Sequence, residues 1–330
     1  MKQRFSLLML VTTLLFSCSG EKKIKLIEKN FEDEIPVKAI LSFTFSKDMM
    51  PDSIVGVWAE TEYIHFEPEV EGKFHWQTKN VLVFTPAKEF LPATNYTGRF
   101  TDKVFRHTKK MRFKGEKQFS FHTIYLDLLT TRAYWHYSEE EDGKQGIKID
   151  FEFNYQMLPS EVGGLAKVFV NGEEAQFDLL SEEIDYDVSL LVSNIEREDK
   201  DYEVKITVAD GLAPYNGGEK AKESFEEELE LPSPFKLEIT DLQANHDGNE
   251  GTITIYTTQK VVSENIKKYI SIEPSLKYKV ETYPGYFTIQ SEDFSIDSKY
   301  ELTVKKGLQG TIGGELKYDY AQPVSFGKVQ

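Results

Sequence analysis

One thiol, Cys18, stands in a chain of 330 residues; thiolates, imidazoles and loop carboxylates are the groups from which most nucleophilic, acid–base and metal chemistry is built. The six histidines fall at 65, 75, 107, 122, 136 and 246, with no H-E-x-x-H or other close ligand pair among them. His65 and His122 lie in alternating strand patterns and read as strand residues rather than ligands. No G-x-S-x-G elbow, phosphate-cradling G-x-x-x-x-G-K-[ST] loop or strand-borne G-x-G-x-x-G is present. The acidic clusters "EEEDG", Glu139–Gly143, and "DGNEG", Asp247–Gly251, could hold calcium through loop carboxylates. Both read equally as hairpin turns, and neither has the spaced ligand ladder of an EF-hand loop. Asn95-Tyr96-Thr97 fits the N-glycosylation acceptor pattern, and Asp52-Ser53-Ile54 has the form of a short bacterial O-glycosylation triplet. These residues lead us to expect no enzyme, no metal and no cofactor.

The position of Cys18 is more telling than its chemistry. Lys2 and Arg4 precede the apolar run "FSLLMLVTTLLF", Phe5–Phe16, which is short of the roughly 20 residues a spanning helix needs and reads as an export signal. The polar stretch "SGEKKIK" follows. Leu15-Phe16-Ser17-Cys18 resembles the lipobox of bacterial lipoproteins. That resemblance implies a signal peptide over 1–17, acylation of Cys18 as the first mature residue, and a lipidated tether over 18–34. Each buried CH₂ contributes about 0.8 kcal/mol, so one acyl chain binds marginally and several give a lasting anchor. The alternative is an ordinary cleaved signal with an incidental cysteine. Either way, one cysteine allows no disulfide within the chain, and apolar cores must carry its stability.

The formal net charge is −16, and −18 once Lys2 and Arg4 leave with the signal. So acidic a surface repels nucleic-acid phosphate, and no nucleic-acid partner is expected. One segment runs against it: "DKVFRHTKKMRFKGEK", Asp102–Lys117, sets Lys103, Arg106, Lys109, Lys110, Arg112, Lys114 and Lys117 against Asp102 and Glu116. It reads either as a solvated hairpin with charges outward or as a contact for anionic headgroups or an acidic neighbour.

Forty per cent hydrophobic residues, with 23 Phe and 17 Tyr, exclude a disordered chain. Alternating runs such as "VLVFTP" from Val81, "KVFV" from Lys167, "YEVKITV" from Tyr202 and "GTITIYT" from Gly251 predict strands. Turn pairs separate them: Asn171-Gly172, Asp210-Gly211, Asp247-Gly248 and Gly313-Gly314. No long amphipathic helix is expected; "SENIKKYI", Ser263–Ile270, could form one or two Ser-capped turns leading into a strand. An internal repeat sets the organisation. "YIHFEP" at Tyr63 recurs as "YISIEP" at Tyr269, 206 residues on, while Val83 with Thr288, Phe90 with Phe294 and Tyr96 with Tyr300 keep offsets of 205, 204 and 204. "YEVKITVADGL" from Tyr202 matches "YELTVKKGL" from Tyr300 at 98. Units of about 100 residues are the size of β-sandwich domains. The expectation is an all-β chain of three tandem Ig-like sandwiches, over 35–123, 124–232 and 233–330, with the second seam at Pro232-Ser233-Pro234 and with Leu41, Phe43 and Phe45 facing inward.

The N-terminal unit carries a resemblance to a known family. Ser46 with Met49, Glu67-Pro68, Gly72 with Trp76, Leu82-Val83-Phe84 with Pro86, and Leu91-Pro92 with Tyr96 are similar to the first macroglobulin-like domain of bacterial alpha-2-macroglobulins. "YISIEP" and "KYELTVKKGLQGTIGGEL" are similar to a later Ig-like domain of the same proteins. The resemblance implies a lipid-anchored protease trap, periplasmic or on the outer-membrane surface, whose bait is cut before it closes on the protease, often with a Cys-x-x-Gln-type thioester. This chain has no cysteine beyond Cys18 and can hold no thioester. Its implied share is the membrane-anchoring scaffold, touching neighbouring macroglobulin domains or proteases. The competing expectation is a standalone lipid-anchored Ig-like module that binds glycan or a partner protein. Ser19 and Gly20 begin no acidic run of the surface-export type, which favours the periplasm.

Overall fold

A computed structural model of the chain describes residues 23–108, 111–138 and 144–327. The first sandwich uses β1 (Lys23–Ile24), β2 (Leu26–Lys29), β3 (Glu34–Ile35), β4 (Leu41–Phe45), β5 (Trp58–Ala59), β6 (Ile64–Glu67), β7 (Gly72–Thr78), β8 (Val81–Pro86), β9 (Asn95–Phe100), β10 (Arg112–Phe113) and β11 (Gln118–Thr123). One sheet runs β2-β4-β8-β7-β5, the other β3-β11-β9-β6, and β1 pairs with β10 in a small parallel ladder. Strict alternation in "LSFTF" turns Leu41, Phe43 and Phe45 fully inward. There they meet Trp76 and Phe100, with Phe43 and Phe100 edge-to-face at 5.2 Å. Each such ring contributes about 1.5–3 kcal/mol by leaving water, which is how a domain without disulfides holds together.

The middle sandwich consists of β12 (Leu128–Ser138), β13 (Lys144–Met157), helix α1 (Pro159–Leu165), β14 (Ala166–Val170), β15 (Glu173–Ala175), β16 (Asp178–Leu179), β17 (Asp185–Ser193), β18 (Tyr202–Val208) and β19 (Phe225–Leu231). Its sheets are β12-β13-β17-β16 and β15-β14-β18-β19. Asn171 and Gly172, at φ +52° and +83°, make the two-residue turn between β14 and β15 that the sequence predicts. The third sandwich follows with β20 (Ile239–His246), β21 (Gly251–Thr257), β22 (Ile270–Glu273), β23 (Lys279–Tyr283), β24 (Tyr286–Ser291), β25 (Lys299–Val304) and β26 (Tyr320–Ser325), in sheets β20-β21-β24-β23 and β22-β25-β26.

With seven strands lettered A to G, that is one sheet A-B-E-D facing another C-F-G, the immunoglobulin constant-type order. The middle sandwich repeats it as β12-β13-β17-β16 against β14-β18-β19, and the first as β2-β4-β8-β7 against β6-β9-β11. The chain is therefore all-β, with the Ig-like order in all three sandwiches. The repeat also holds at ladder register. Ile64 faces Phe100 and Glu67 faces Thr97; Ile270 faces Val304 and Glu273 faces Glu301. Phe90 and Tyr96 meet at 5.3 Å and 75°, Phe294 and Tyr300 at 5.0 Å and 78°. Tyr202 and Tyr300 also form matching corners: their hydroxyls accept from the backbone N–H of Glu198 and of Ser295, 2.9 and 2.8 Å away.

The structure corrects two expectations and adds a short helix. A free tether over 18–34 fails from Lys23 onward, because Ile24 and Ile35 are buried in the first core and β2 and β3 are paired in its sheets. The Ser-capped turn at 263–270 is a single 3₁₀ turn, Ile266–Tyr269, entered through Asn265 at φ +55° with no side-chain cap; it does lead into β22. The short helix α1, started by Pro159, was invisible to periodicity because seven residues with two glycines carry too little pattern. By compactness the described residues form two units, the first ending at Thr123 and the second comprising Leu91–Thr94 and everything from Ile124 on. The second unit thus continues across Pro232–Pro234.

Candidate functional site

The strongest concentration of buried polar groups lies inside that second unit, where the middle and third sandwiches meet. Alternation along β12, β13 and β17 sends Trp135, Ile147, Ile149, Phe151 and Val188 into the core. The residues between them, Arg132, Tyr134, Lys148, Asp150, Glu152, Asp187 and Ser189, stand on the opposite face, in register across the three strands. Asp150 is the hub. The Tyr134 hydroxyl donates to its Oδ2 at 2.8 Å, Ser189 Oγ donates to its Oδ1 at 2.6 Å, and Lys148 Nζ lies 3.6 Å from Oδ1. Burial, then Asp150, pushes the Tyr134 phenol far above its ordinary range, so it is a permanent donor. Burial and then the Glu152, Asp185 and Asp150 carboxylates raise the Asp187 carboxyl.

Onto this face comes the tip of the β23–β24 hairpin, Pro284-Gly285. Gly285 has φ +76°, and a Cβ there would sit 2.8 Å from the Tyr134 ring, so only glycine fits on both counts. Beside it the Arg132 guanidinium lies 4.0 Å above the Tyr256 ring, within cation–π range. Tyr283 and Tyr286 stack at 4.8 Å across the hairpin, and burial raises the Tyr256 and Tyr286 phenols.

The connecting segment is pinned on every side. Trp135 Nε1 donates to the Pro232 carbonyl at 2.8 Å, and Trp135 N to the Thr258 carbonyl at 2.8 Å. Ser233 is fully buried; its Oγ donates to Asp199 Oδ1 at 2.7 Å and its N–H to Asp201 Oδ1 at 2.9 Å. Lys236 Nζ donates to the same Asp201 oxygen at 2.8 Å and, with the Ser233 N–H, holds that carboxyl below its ordinary range. Gln259, 0% exposed, braces the third sandwich's side of the joint. Its Nε2 donates to the Pro234 and Lys236 carbonyls at 3.2 and 3.0 Å, and its Oε1 accepts from the Ile312 and Gly314 N–H groups at 3.3 and 3.4 Å. Gly310 and Gly314 make room for it, since a Cβ at either would fall 2.0 Å from the amide. Arg197 Nη2 donates to the Ile312 carbonyl at 2.6 Å, and Ile312 packs against the middle core. These bonds position groups rather than activate them: the Asp150 and Asp201 carboxylates are already occupied by donors and by lysine. The arrangement fixes one sandwich against the next.

The residues singled out from the sequence are dispersed. Cys18 and Glu139–Gly143 lie outside the described residues. Asp247 Oδ1 accepts from the Asn249 and Glu250 N–H groups, both at 2.8 Å, which lowers its pKa and makes the loop a turn closed by its own carboxylate. His246 accepts the Gly248 N–H on Nδ1 and donates from Nε2 to the Phe294 carbonyl, 3.0 Å each, which makes it a loop brace. His65 is exposed beside Glu62 at 2.8 Å, and His122 stands in β11. Asp52 pairs with Lys79 at 2.9 Å in an exposed 3₁₀ turn, and Asn95 opens β9. Among the described residues, no three His, Cys, Asp or Glu side chains gather in a way that could hold a metal ion. In the described part of the basic stretch, Asp102–Phe105 is a 3₁₀ turn and Arg112–Phe113 pairs with β1, while Lys109 and Lys110 lie outside the described residues. Gln259, Tyr134 and Gly285 escape sequence reasoning, because a lone Gln just past an alternating strand and a Pro-Gly turn give no sign of what they will touch.

No family description matches the chain. The Alpha-2-macroglobulin homolog of Yersinia pestis is 22% identical over 256 residues, covering 73% of this chain and 12% of that protein, so the chain spans about an eighth of its length. Among solved structures, the I-band fragment I67–I69 of titin aligns over 93% of this chain and 96% of its own at 9% identity and a TM-score of 0.18. Domains 1–6 of the surface layer protein SbsC align over 92% and 54% at 9% identity and 0.19. Scores that low carry no argument. The chain has a distant sequence similarity to a bacterial alpha-2-macroglobulin homolog.

Proposed function

We propose that this chain is the anchoring scaffold of an alpha-2-macroglobulin-like protease-trapping inhibitor, tethered to the cell envelope through acylated Cys18 and without catalysis of its own. The joint crossed by Trp135, Arg197, Ser233 and Lys236 carries this reading: it ties two sandwiches into one stiff spacer, and a stiff spacer is what a trap needs between its anchor and its working parts. The distant similarity to the Yersinia pestis protein supports the trap as the context. The apolar run ahead of Cys18 and the polar stretch behind it support the anchor. Having one cysteine, the chain can form no thioester once that cysteine is acylated. Mass spectrometry of the N-terminal peptide from membrane-purified protein tests the anchor, with acyl chains on Cys18 expected and an unmodified or absent Cys18 overturning it. Incubation with a panel of proteases tests the scaffold role. Simple cleavage or indifference is expected, and stable capture of a protease by the chain alone would contradict it.

A further inference from the structure

The first sandwich gathers its basic residues at the point where the chain enters it. In the β1–β10 ladder Lys23 lies opposite Arg112 and Ile24 opposite Phe113, and Lys114 N donates to the Ile24 carbonyl at 2.7 Å. Ile24 is buried and Phe113 half-buried, while Lys23, Lys25, Arg112 and Lys114 are exposed. Period-two alternation therefore puts four cations on the outer face of one small ladder. The 3₁₀ turn Asp102–Phe105 is held against it by Phe105, whose ring lies 5.0 Å from that of Phe113, and adds exposed Lys103 and Arg106. Asp102 is taken by Lys117 at 2.9 Å, a bond that lowers the acid's pKa; Glu116 is the remaining carboxylate of this stretch.

We propose that this face is a docking surface for anionic lipid headgroups. The inference rests on the anchored reading above. Only residues 19–22 separate Cys18 from Lys23, so extended chain puts β1 within about 18 Å of an acylated Cys18. That reach is an upper limit, and it leaves the face free to settle within the about 8 Å over which surface charge is felt at physiological salt. On a mature protein of net charge −18, a cationic face placed at the anchor is attracted to a negative leaflet that repels the molecule's net charge. Each basic residue near such a surface strengthens attachment about five-fold. Acyl chains and polybasic face together thus make a two-signal anchor that also sets which way the first sandwich points.

The test uses the full mature chain in phosphatidylcholine vesicles with or without phosphatidylglycerol, labelled from outside with a membrane-impermeant lysine reagent and read by mass spectrometry. Labelling of Lys103 and Lys114 should fall several-fold when phosphatidylglycerol is present and recover in about 1 M salt, where screening shortens to about 3 Å. Exposed Lys167 and Lys279 should not change. Arg106→Glu with Arg112→Glu should lose the protection, attachment falling by more than the about 25-fold that removing two basic residues costs. The Arg→Gln pair should lose less, with unchanged melting in both. Equal labelling of Lys103 and Lys114 in the two vesicles overturns the proposal, as does protection that the reversals leave intact. The same digest reports the acyl state of Cys18. If Cys18 is unmodified, vesicles added in excess to the free chain still read the basic face, so the two failures are distinguishable.

Discussion

Gln259 shows how one neutral side chain can brace the third sandwich's side of a joint that Arg197 and Lys236 cross with charge. Its amide has two donors and two acceptor lone pairs, and all four find backbone partners in two segments that would otherwise bury unpaired polar groups. Gln259→Leu leaves four backbone groups short of a partner in a dry site, and a loss of about 2–4 kcal/mol is expected in denaturant unfolding of the second unit. Asp187 is the opposite case, a carboxylate whose pKa burial and neighbouring carboxylates raise. A raised carboxyl is easiest to accommodate protonated, so the ionised form costs stability at neutral pH and that cost disappears as pH falls below the ordinary carboxylate range. Asp187→Asn should raise Tm at pH 7 and have no effect near pH 3; an equal shift at both would mean that the charge is not the cause.

At the scale of elements, the β23–β24 hairpin is read twice. Within its sandwich the Pro284-Gly285 tip joins two paired strands, Tyr283 facing Tyr286. Against the middle sandwich the same tip must approach the Tyr134 ring with no Cβ and with φ +76°. Gly285→Ala meets both obstacles, and about 1–3 kcal/mol of destabilisation is expected from chemical denaturation. Combined with Tyr134→Ala, which removes the ring, the alanine should cost less than it does alone, and strict additivity would show that the contact does not matter. The β1–β10 ladder is a second element whose meaning is tertiary: two residues are too few to be a strand alone, and they hold because Ile24 reaches the first core.

At the scale of the whole molecule, the described residues form three hydrophobic cores but two compact units. Differential scanning calorimetry should resolve two cooperative transitions, one for the first sandwich and one for the middle and third melting together, because a joint with this many buried bonds does not open before its sandwiches unfold. Gln259→Leu should split the second transition or broaden it. Three independent transitions in the unaltered chain would show the joint to be weaker than its hydrogen bonds suggest.

The sequence by itself determined the strands, the copies and much of the core. Period-two alternation is a local property, so Leu41, Phe43 and Phe45 announce which way they face, and repeated segments such as "YIHFEP" and "YISIEP" keep their registers because a one-residue slip would turn every side chain to the wrong face. The same locality hid the joint. Pro232-Ser233-Pro234 reads as a break because proline cannot sit in a central ladder, yet what Ser233, Trp135 and Gln259 do depends on partners as far along the chain as Thr258 is from Trp135. Only the tertiary structure brought those partners together, and it alone turned an expected tether into the edge of a cationic face. Alternation says which side of a strand is wet, but hydrogen-bond satisfaction is settled by whatever surface arrives from elsewhere in the chain.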